Sequence, residues 1–394
     1  ALPPCRPAAL PPCRPAALPP CRPAALPPCR PAAMPTFELE TPTPLVDLDV
    51  LDRNLATMAD YAASHGLGLR PHAKTHKATR VGREQVRLGA IGLTCATPRE
   101  AEVMGALTRD ILVAHPPVGL KAARLMRLDP AVDLMVALDS AESLETLAEA
   151  ARRHDRPVRV LIELDLGMRR VGVPAVEEAI ALARLARDRS PLRYAGVNFY
   201  PGHIRKQPGD ERDAQIASLD AALHAALGRL ADAGVAPDIV SGGSSPTAWE
   251  THRVRGLTEF RPGTYVYNDR NQVTLGVCQR GDCALTVLAT VVSTAVAGQA
   301  VIDAGTKALG REPRDMGDDA GFGELLDRPE VRVTRMSEEH GVLDLSRTAW
   351  RPGVGDQVRV IPNHVCIVTH LNDRVVGLRG GKVVEEYAIE ARGR

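Results

Sequence analysis

Between residues 45 and 270 short β-rich runs alternate with alanine- and leucine-rich helical patterns, and no other feature of the chain restricts its fold as much. Strands are predicted at 68–71, 91–95, 111–114, 134–138, 158–164, 194–199, 239–241 and 259–261, with helices such as 98–107, 141–153 and 211–233 between them. Eight such alternations over roughly 230 residues are what a (β/α)8 barrel requires. A doubly wound open sheet has the same local pattern, but eight evenly spaced units favour closure. The pattern then changes. Runs at 284–293, 299–303, 330–336, 357–362, 375–377 and 383–388 read as strands with few helices between, an antiparallel β domain.

The first 33 residues stand apart. Residues 1–32 are four perfect copies of Ala-Leu-Pro-Pro-Cys-Arg-Pro-Ala and hold 12 of the 32 prolines. Proline at that density lacks amide donors and favours polyproline II, so a disordered tail is expected there. The segment has neither the unbroken apolar stretch of a signal peptide nor the serine-rich character of a transit peptide. Followed by Met34, the repeat reads as a reading-frame extension or a cloning scar, with a flexible cysteine-bearing linker as the alternative. The expected organisation is therefore a tail at 1–33, an (β/α)8 barrel at 34–270 and a β domain at 271–394, with an N-terminal strand around residues 45–48 near the junction.

The tail carries four arginines and no acid, so a formal charge of +1 for the chain leaves −3 for the body. No basic surplus argues for nucleic acid, and no stretch has the length needed to span a membrane. Cys95, Cys278, Cys283 and Cys366 are scattered along the body, which suits a reducing cytoplasm rather than a disulfide framework.

In a barrel, residues at strand C-termini converge on one mouth. Arg70-Pro71-His72-Ala73-Lys74-Thr75-His76-Lys77 follows the first strand. A lysine placed there can hold a carbonyl cofactor as a Schiff base; crowding by basic residues and imidazoles would depress its ammonium pKa. A basic loop that binds anions or caps a strand is the plainer alternative. Asp139 follows strand four, Asp165-Leu166-Gly167-Met168-Arg169-Arg170 strand five, and Tyr200-Pro201-Gly202-His203 strand six. After strand seven, Gly242-Gly243-Ser244-Ser245-Pro246-Thr247 has adjacent glycines, three hydroxyls and a helical segment behind it. Such a loop suits a phosphate, the alternative being a capped turn. Amides of Gly263 and Tyr265 are placed to complete it. Near the C-terminus, His364-Val365-Cys366 puts an imidazole and a thiol on one face if extended. Those donors suit zinc; a packed histidine beside a buried thiol is the alternative.

The lysine string resembles the cofactor segment of the D-threonine aldolase and D-serine dehydratase family, fold-type III pyridoxal-phosphate enzymes related to alanine racemase. The likeness runs from about residue 41 to 392. It implies a barrel followed by a β domain, and Lys74 as the cofactor lysine with His72 as the second catalytic candidate. It further implies Arg170 near the cofactor's phenolic oxygen and Tyr200 at its ring nitrogen. The phosphate falls to Gly242, Gly243, Ser244, Ser245, Thr247, Gly263 and Tyr265, and a divalent metal to His364 and Cys366. Thiolate favours zinc over manganese or magnesium. Aldolase relatives tend to carry His-x-Asp at that pair and D-serine dehydratases His-x-Cys. Glu338-Glu339-His340-Gly341 also resembles a family segment, a solvated acidic loop being its alternative.

The expected activity is thus that of a metal-assisted lyase on β-hydroxy-D-amino acids, leaning to dehydration. Retro-aldol cleavage to glycine and an aldehyde uses the same parts, and an amino-acid racemase or a non-catalytic cofactor-binding protein are further readings. The family resemblance also implies a homodimer.

Overall fold

The structure, a computed structural model, describes residues 37–206, 208–313 and 321–393. The repeat at 1–33 lies outside the described residues.

Eight parallel strands form the first sheet: Gly68–Leu69, Leu93–Cys95, Asp110–Val113, Asp133–Leu138, Val158–Leu164, Leu192–Phe199, Ile239–Gly242 and Glu259–Phe260. Each pairs with its successor except the first two, and the eighth returns to pair with the first. A single bridge, His72 to Thr94, joins the first two. All eight sit where the apolar runs predict them. The first and last are cut to two residues because Pro71 and Pro262 follow and supply no amide to a ladder. Helices alternate with the strands as the spacing requires, among them Pro98–Met104, Ala141–Arg153 and Asp210–Asp232. Buried Arg70 ties three strands together, with Nε 2.9 Å from Glu259 Oε1 and Nη1 2.7 Å from Asp110 Oδ1.

The second sheet has nine strands. Six close on themselves in the order Leu285–Ser293, Gln299–Ile302, Gly341–Asp344, Arg328–Met336, Gly323–Leu325 and Gln357–Pro362, all antiparallel. Gly323–Leu325 and Gly341–Asp344 were not expected; both are short and interrupted by glycine or acid, so their apolar signal is weak. On the other side of Leu285–Ser293 lie Thr43–Asp47, Arg374–Arg379 and Lys382–Ala388. Thr43–Asp47 is therefore a strand of the second sheet, although it precedes the barrel in sequence.

Asp47 ends that strand and caps the helix Leu48–Ser64, its Oδ1 accepting from the amides of Asp49 and Val50 at 3.0 and 3.1 Å. Leu48, Leu51, Leu55, Met58 and Ala62 form its buried stripe, at the spacing of one helical face. Among the described residues no helix is long and apolar enough to cross a membrane.

Candidate active site

Pro71 stops the first strand and releases the chain into one 3-10 turn, Ala73–Thr75, that carries Lys74. His72 caps the turn, its Nδ1 accepting from the Lys74 amide at 3.4 Å. The crowding read from the sequence is only partly realised. His76 turns away, Nδ1 bonding to the Ala78 carbonyl at 3.0 Å, and the buried Lys77 ammonium pairs with Glu100. His72 alone of the string shares the cavity with Lys74. Burial, aided by the charges of Lys74 and Arg261, pushes the His72 imidazole well below its ordinary pKa. It is a neutral group at working pH.

The cavity at the barrel mouth encloses about 580 Å3 counted to its open rim. It brings together His72, Lys74, Arg170, Tyr200, the Gly243-Ser244-Ser245 stretch and Gly263. One ring organises the cations: Lys74 Nζ lies 5.7 Å and Arg170 Cζ 4.9 Å from the Tyr200 centroid. Asp165 shapes the loop before Arg170, its Oδ1 accepting from the amides of Gly167 and Arg169, each at 2.9 Å. Arg169 itself is exposed.

The glycine loop leaves strand seven at Gly242. Gly243 has φ +82, and a Cβ there would stand 2.7 Å from the Phe260 ring, so only glycine fits. A Cβ on Gly263 would meet Thr75 Oγ1 at 2.9 Å; its amide donates to Ser245 Oγ at 3.0 Å. Three of the predicted phosphate residues fall outside the cavity lining, as do His364 and Cys366. Gly242 packs under the Phe199 ring, and Thr247 turns to Ser244, with hydroxyl oxygens 3.0 Å apart. The Tyr265 side chain lies in the second domain's core, its hydroxyl accepting from Gln85 Nε2 at 2.9 Å.

Sequence reasoning missed Glu163, Asn198 and Arg261, all buried and lining the cavity. Glu163 and Asn198 are partners in register across strands five and six. Burial holds the Glu163 carboxyl above the usual carboxylate range. Arg261 donates to the Phe199 carbonyl at 2.7 Å. A charged or amide residue inside an apolar strand was the available signal.

His364 and Cys366 do not lie on one extended run. His364 is extended and precedes a helix, Val365–Leu371, whose first turn holds Cys366. They act on each other nonetheless, each shifting the other's ionisation, and Cys366 Sγ donates to Thr75 Oγ1 at 3.3 Å. The charge on Cys366 raises the His364 pKa well above its ordinary value. Burial opposes ionisation of the thiol and is the largest single influence, but His364, Lys74 and Thr75 together outweigh it and hold Cys366 below the usual thiol range. Asp269, also missed, fixes the imidazole. It is fully buried and accepts from His364 Nδ1 at 2.9 Å and from the Val365 amide at 3.2 Å. Among the described residues no third histidine, cysteine or carboxylate joins the pair in a metal-sized cluster. Glu338 and Glu339 are exposed and pair with Lys307 at 3.0 and 2.7 Å.

Residues 46–271 match the family model described as alanine racemase, N-terminal domain, and residues 284–378 match a putative serine dehydratase domain. The D-threonine aldolase of Arthrobacter sp. is 32% identical over 364 residues, covering 90% of this chain and 93% of that protein. The D-threo-3-hydroxyaspartate dehydratase of Delftia sp. strain HT23 is 34% identical, covering 83% and 91% respectively. A solved structure described as a cysteine-to-alanine variant of D-threo-3-hydroxyaspartate dehydratase in the metal-free form superposes with a TM-score of 0.80. It is 30% identical and covers 91% of this chain and 99% of its own. The chain belongs to the D-threonine aldolase and D-serine dehydratase family, pyridoxal-phosphate lyases built on an alanine-racemase-like fold.

The cavity suits that cofactor on its own geometry. Arg261 Nη1 and Asn198 Oδ1 are buried donor and acceptor atoms on the lining with no partner among the described residues. Gly243 and Gly263 leave space that any Cβ would fill. The second pair also suits a soft divalent ion: with Nδ1 of His364 committed to Asp269, the other ring nitrogen and the Cys366 sulfur remain as donors.

Proposed function

We propose that the chain is a metal-assisted lyase that removes water from β-hydroxy-D-amino acids, giving an oxoacid and ammonia. The observation carrying this reading is the His364–Cys366 pair, joined through Thr75 to the turn that bears Lys74. Pyridoxal phosphate bound at Lys74 supplies the electron withdrawal that makes the substrate's α-hydrogen acidic. The Lys74 amine takes that hydrogen once it is free. His72, kept neutral by burial, is the acceptor beside it on the cavity wall. Arg170 and Tyr200 orient the cofactor ring. The segment from Gly242 to Thr247, with the backbone of Gly263 and Tyr265, receives the phosphate, Gly243 and Gly263 being the members that give it room.

His364 and Cys366 would hold a divalent ion, which would supply Lewis acidity for loss of the hydroxyl. Zinc is preferred over manganese or magnesium, since one donor is sulfur. The metal-free description of the related cysteine variant supports a cysteine ligand. We further place the enzyme in the cytoplasm as a homodimer, with all four body cysteines as free thiols.

Retro-aldol cleavage is the second reading, favoured by the 32% identity to a D-threonine aldolase. One incubation separates them. Holoenzyme supplied with zinc is given D-serine, D-threonine or 3-hydroxy-D-aspartate, and products are identified by mass. Oxoacid with ammonia supports dehydration; glycine with an aldehyde overturns it.

A further inference from the structure

Arg212 stands in the first turn of the helix Asp210–Asp232 and is only 2% exposed, a costly place for a guanidinium. It does not line the cavity. Its two terminal nitrogens meet four oxygens. Nη1 donates to the Lys206 carbonyl at 3.0 Å and to the Leu275 carbonyl at 3.1 Å. Nη2 donates to the Pro246 carbonyl and to Glu250 Oε2, the latter at 2.7 Å. Nε has no partner among the described residues. Replacing a buried ion pair by apolar side chains often costs no stability, so holding the fold together is a weak reason for this arginine.

The acceptor that marks the site is Pro246, which lies in the glycine loop and lines the cavity that Arg212 itself does not reach. Proline has no amide, so Thr247 supplies the next backbone donor of the loop. Pro246–Thr247 is a trans peptide, which puts its carbonyl and its N–H on opposite sides. Turning the carbonyl onto Arg212 therefore points the Thr247 amide away from the guanidinium. No acceptor among the described residues takes that amide. Thr247 is pinned on its other side as well. Glu250, the carboxylate partner of Arg212, donates its own amide to the Thr247 carbonyl at 3.3 Å, and Thr251 Oγ1 donates to the same carbonyl at 2.8 Å.

We propose that Arg212 is a positioning residue for the cofactor phosphate: by holding the Pro246 carbonyl it presents the Thr247 amide, and with it the glycine loop, to the anion. The inference rests on the reading of the segment from Gly242 to Thr247 as the phosphate loop. Arg212 is a cation that does not touch the anion, because its charge is matched by Glu250. It acts through the peptide it grips, and the anion meets backbone N–H groups instead of a guanidinium.

The test separates the phosphate from the rest of the cofactor. Full-length protein freed of cofactor is titrated with pyridoxal phosphate and, separately, with pyridoxal, and binding is followed by visible absorbance. Wild type is expected to bind the phosphorylated form more tightly. Arg212→Gln is expected to bind pyridoxal phosphate about tenfold more weakly and pyridoxal as before, the loss that follows when one hydrogen bond to a charged group is misplaced. Glu250→Gln leaves the arginine in place but takes away its carboxylate, and should show about a threefold loss confined to pyridoxal phosphate. This second variant decides the matter if Arg212→Gln does not fold. Equal weakening of both ligands would make Arg212 structural only, and unchanged affinity for both would remove it from the site; either result overturns the proposal. A wild type that binds the two ligands equally would overturn the phosphate-loop reading itself, and the proposal with it. No readout uses turnover or metal, so failure here is distinguishable from failure of the lyase reading.

Discussion

The barrel mouth and the C-terminal pair are assembled by different physics. At the mouth, backbone places the side chains: strand ends deliver Lys74, Arg170 and Tyr200, and register sets Glu163 against Asn198. The second domain delivers His364 and Cys366 from a strand-to-helix corner, and side chains do the placing. Asp269 grips the imidazole across 95 residues of sequence, and Thr75 meets the thiol across 291. A site held by ladders tolerates the loss of one contact, whereas a site held by single contacts does not.

That contrast is open to attack, starting where the effect is greatest. Lys74→Ala should lower turnover by about 10^4-fold, the upper range for a positioned proton-transfer group. Borohydride should then trap no cofactor, and a peptide-linked cofactor found elsewhere would undo the assignment of Lys74. On the other side, His364→Ala or chelation should lower turnover by about 10^3-fold, as several kcal/mol of Lewis-acid stabilisation disappear. Visible absorbance of the bound cofactor should survive, because the two sets of ligands are separate; its loss would merge the two regions into one.

Acid sharpens the comparison from the barrel side. Burial lowers His76 from 6.5 to about 4, so the native state favours the neutral ring. The unfolded chain binds the proton first, so stability is fully present above pH 6.5 and falls as pH drops from there towards 4. The loss reaches roughly 3 kcal/mol. Denaturant melts at pH 7 and pH 4 measure it, and His76→Gln should flatten the difference.

Asp269→Asn should weaken zinc retention about 10–100-fold, read by competition with a chelating dye. Equal retention in this variant would mean that Thr75 and the helix suffice to seat the pair. Deleting residues 1–33 should change neither melting nor turnover, since a proline repeat of this density buries no core.

The same division explains what the sequence shows and what it hides. Strands such as Val158–Leu164 and Asp133–Leu138 are legible because parallel strands covered on both faces are apolar nearly throughout. Glu163 and Asn198 are visible as polar interruptions, but nothing local tells which neighbour they meet. The helix Val365–Leu371 is hidden for a stronger reason. Val365, Ile367, Val368 and Thr369 are β-branched and locally favour strand, and the amide that starts the helix is held by Asp269, far away in sequence. Residues positioned by local backbone are readable one segment at a time; those positioned by distant side chains are not.

The five-residue strand Thr43–Asp47 has a consequence for how the chain comes into being. It lies between Leu285–Ser293 and Arg374–Arg379, so both of its hydrogen-bonding edges wait for segments synthesised at least 238 residues later. A nascent chain released only as far as the barrel carries this apolar strand with both ladders open, the condition under which strands pair with the wrong partner. Ending the gene after the barrel would leave the same bare edges permanently. Biosynthesis must finish the second sheet before the first strand among the described residues has partners to pair with.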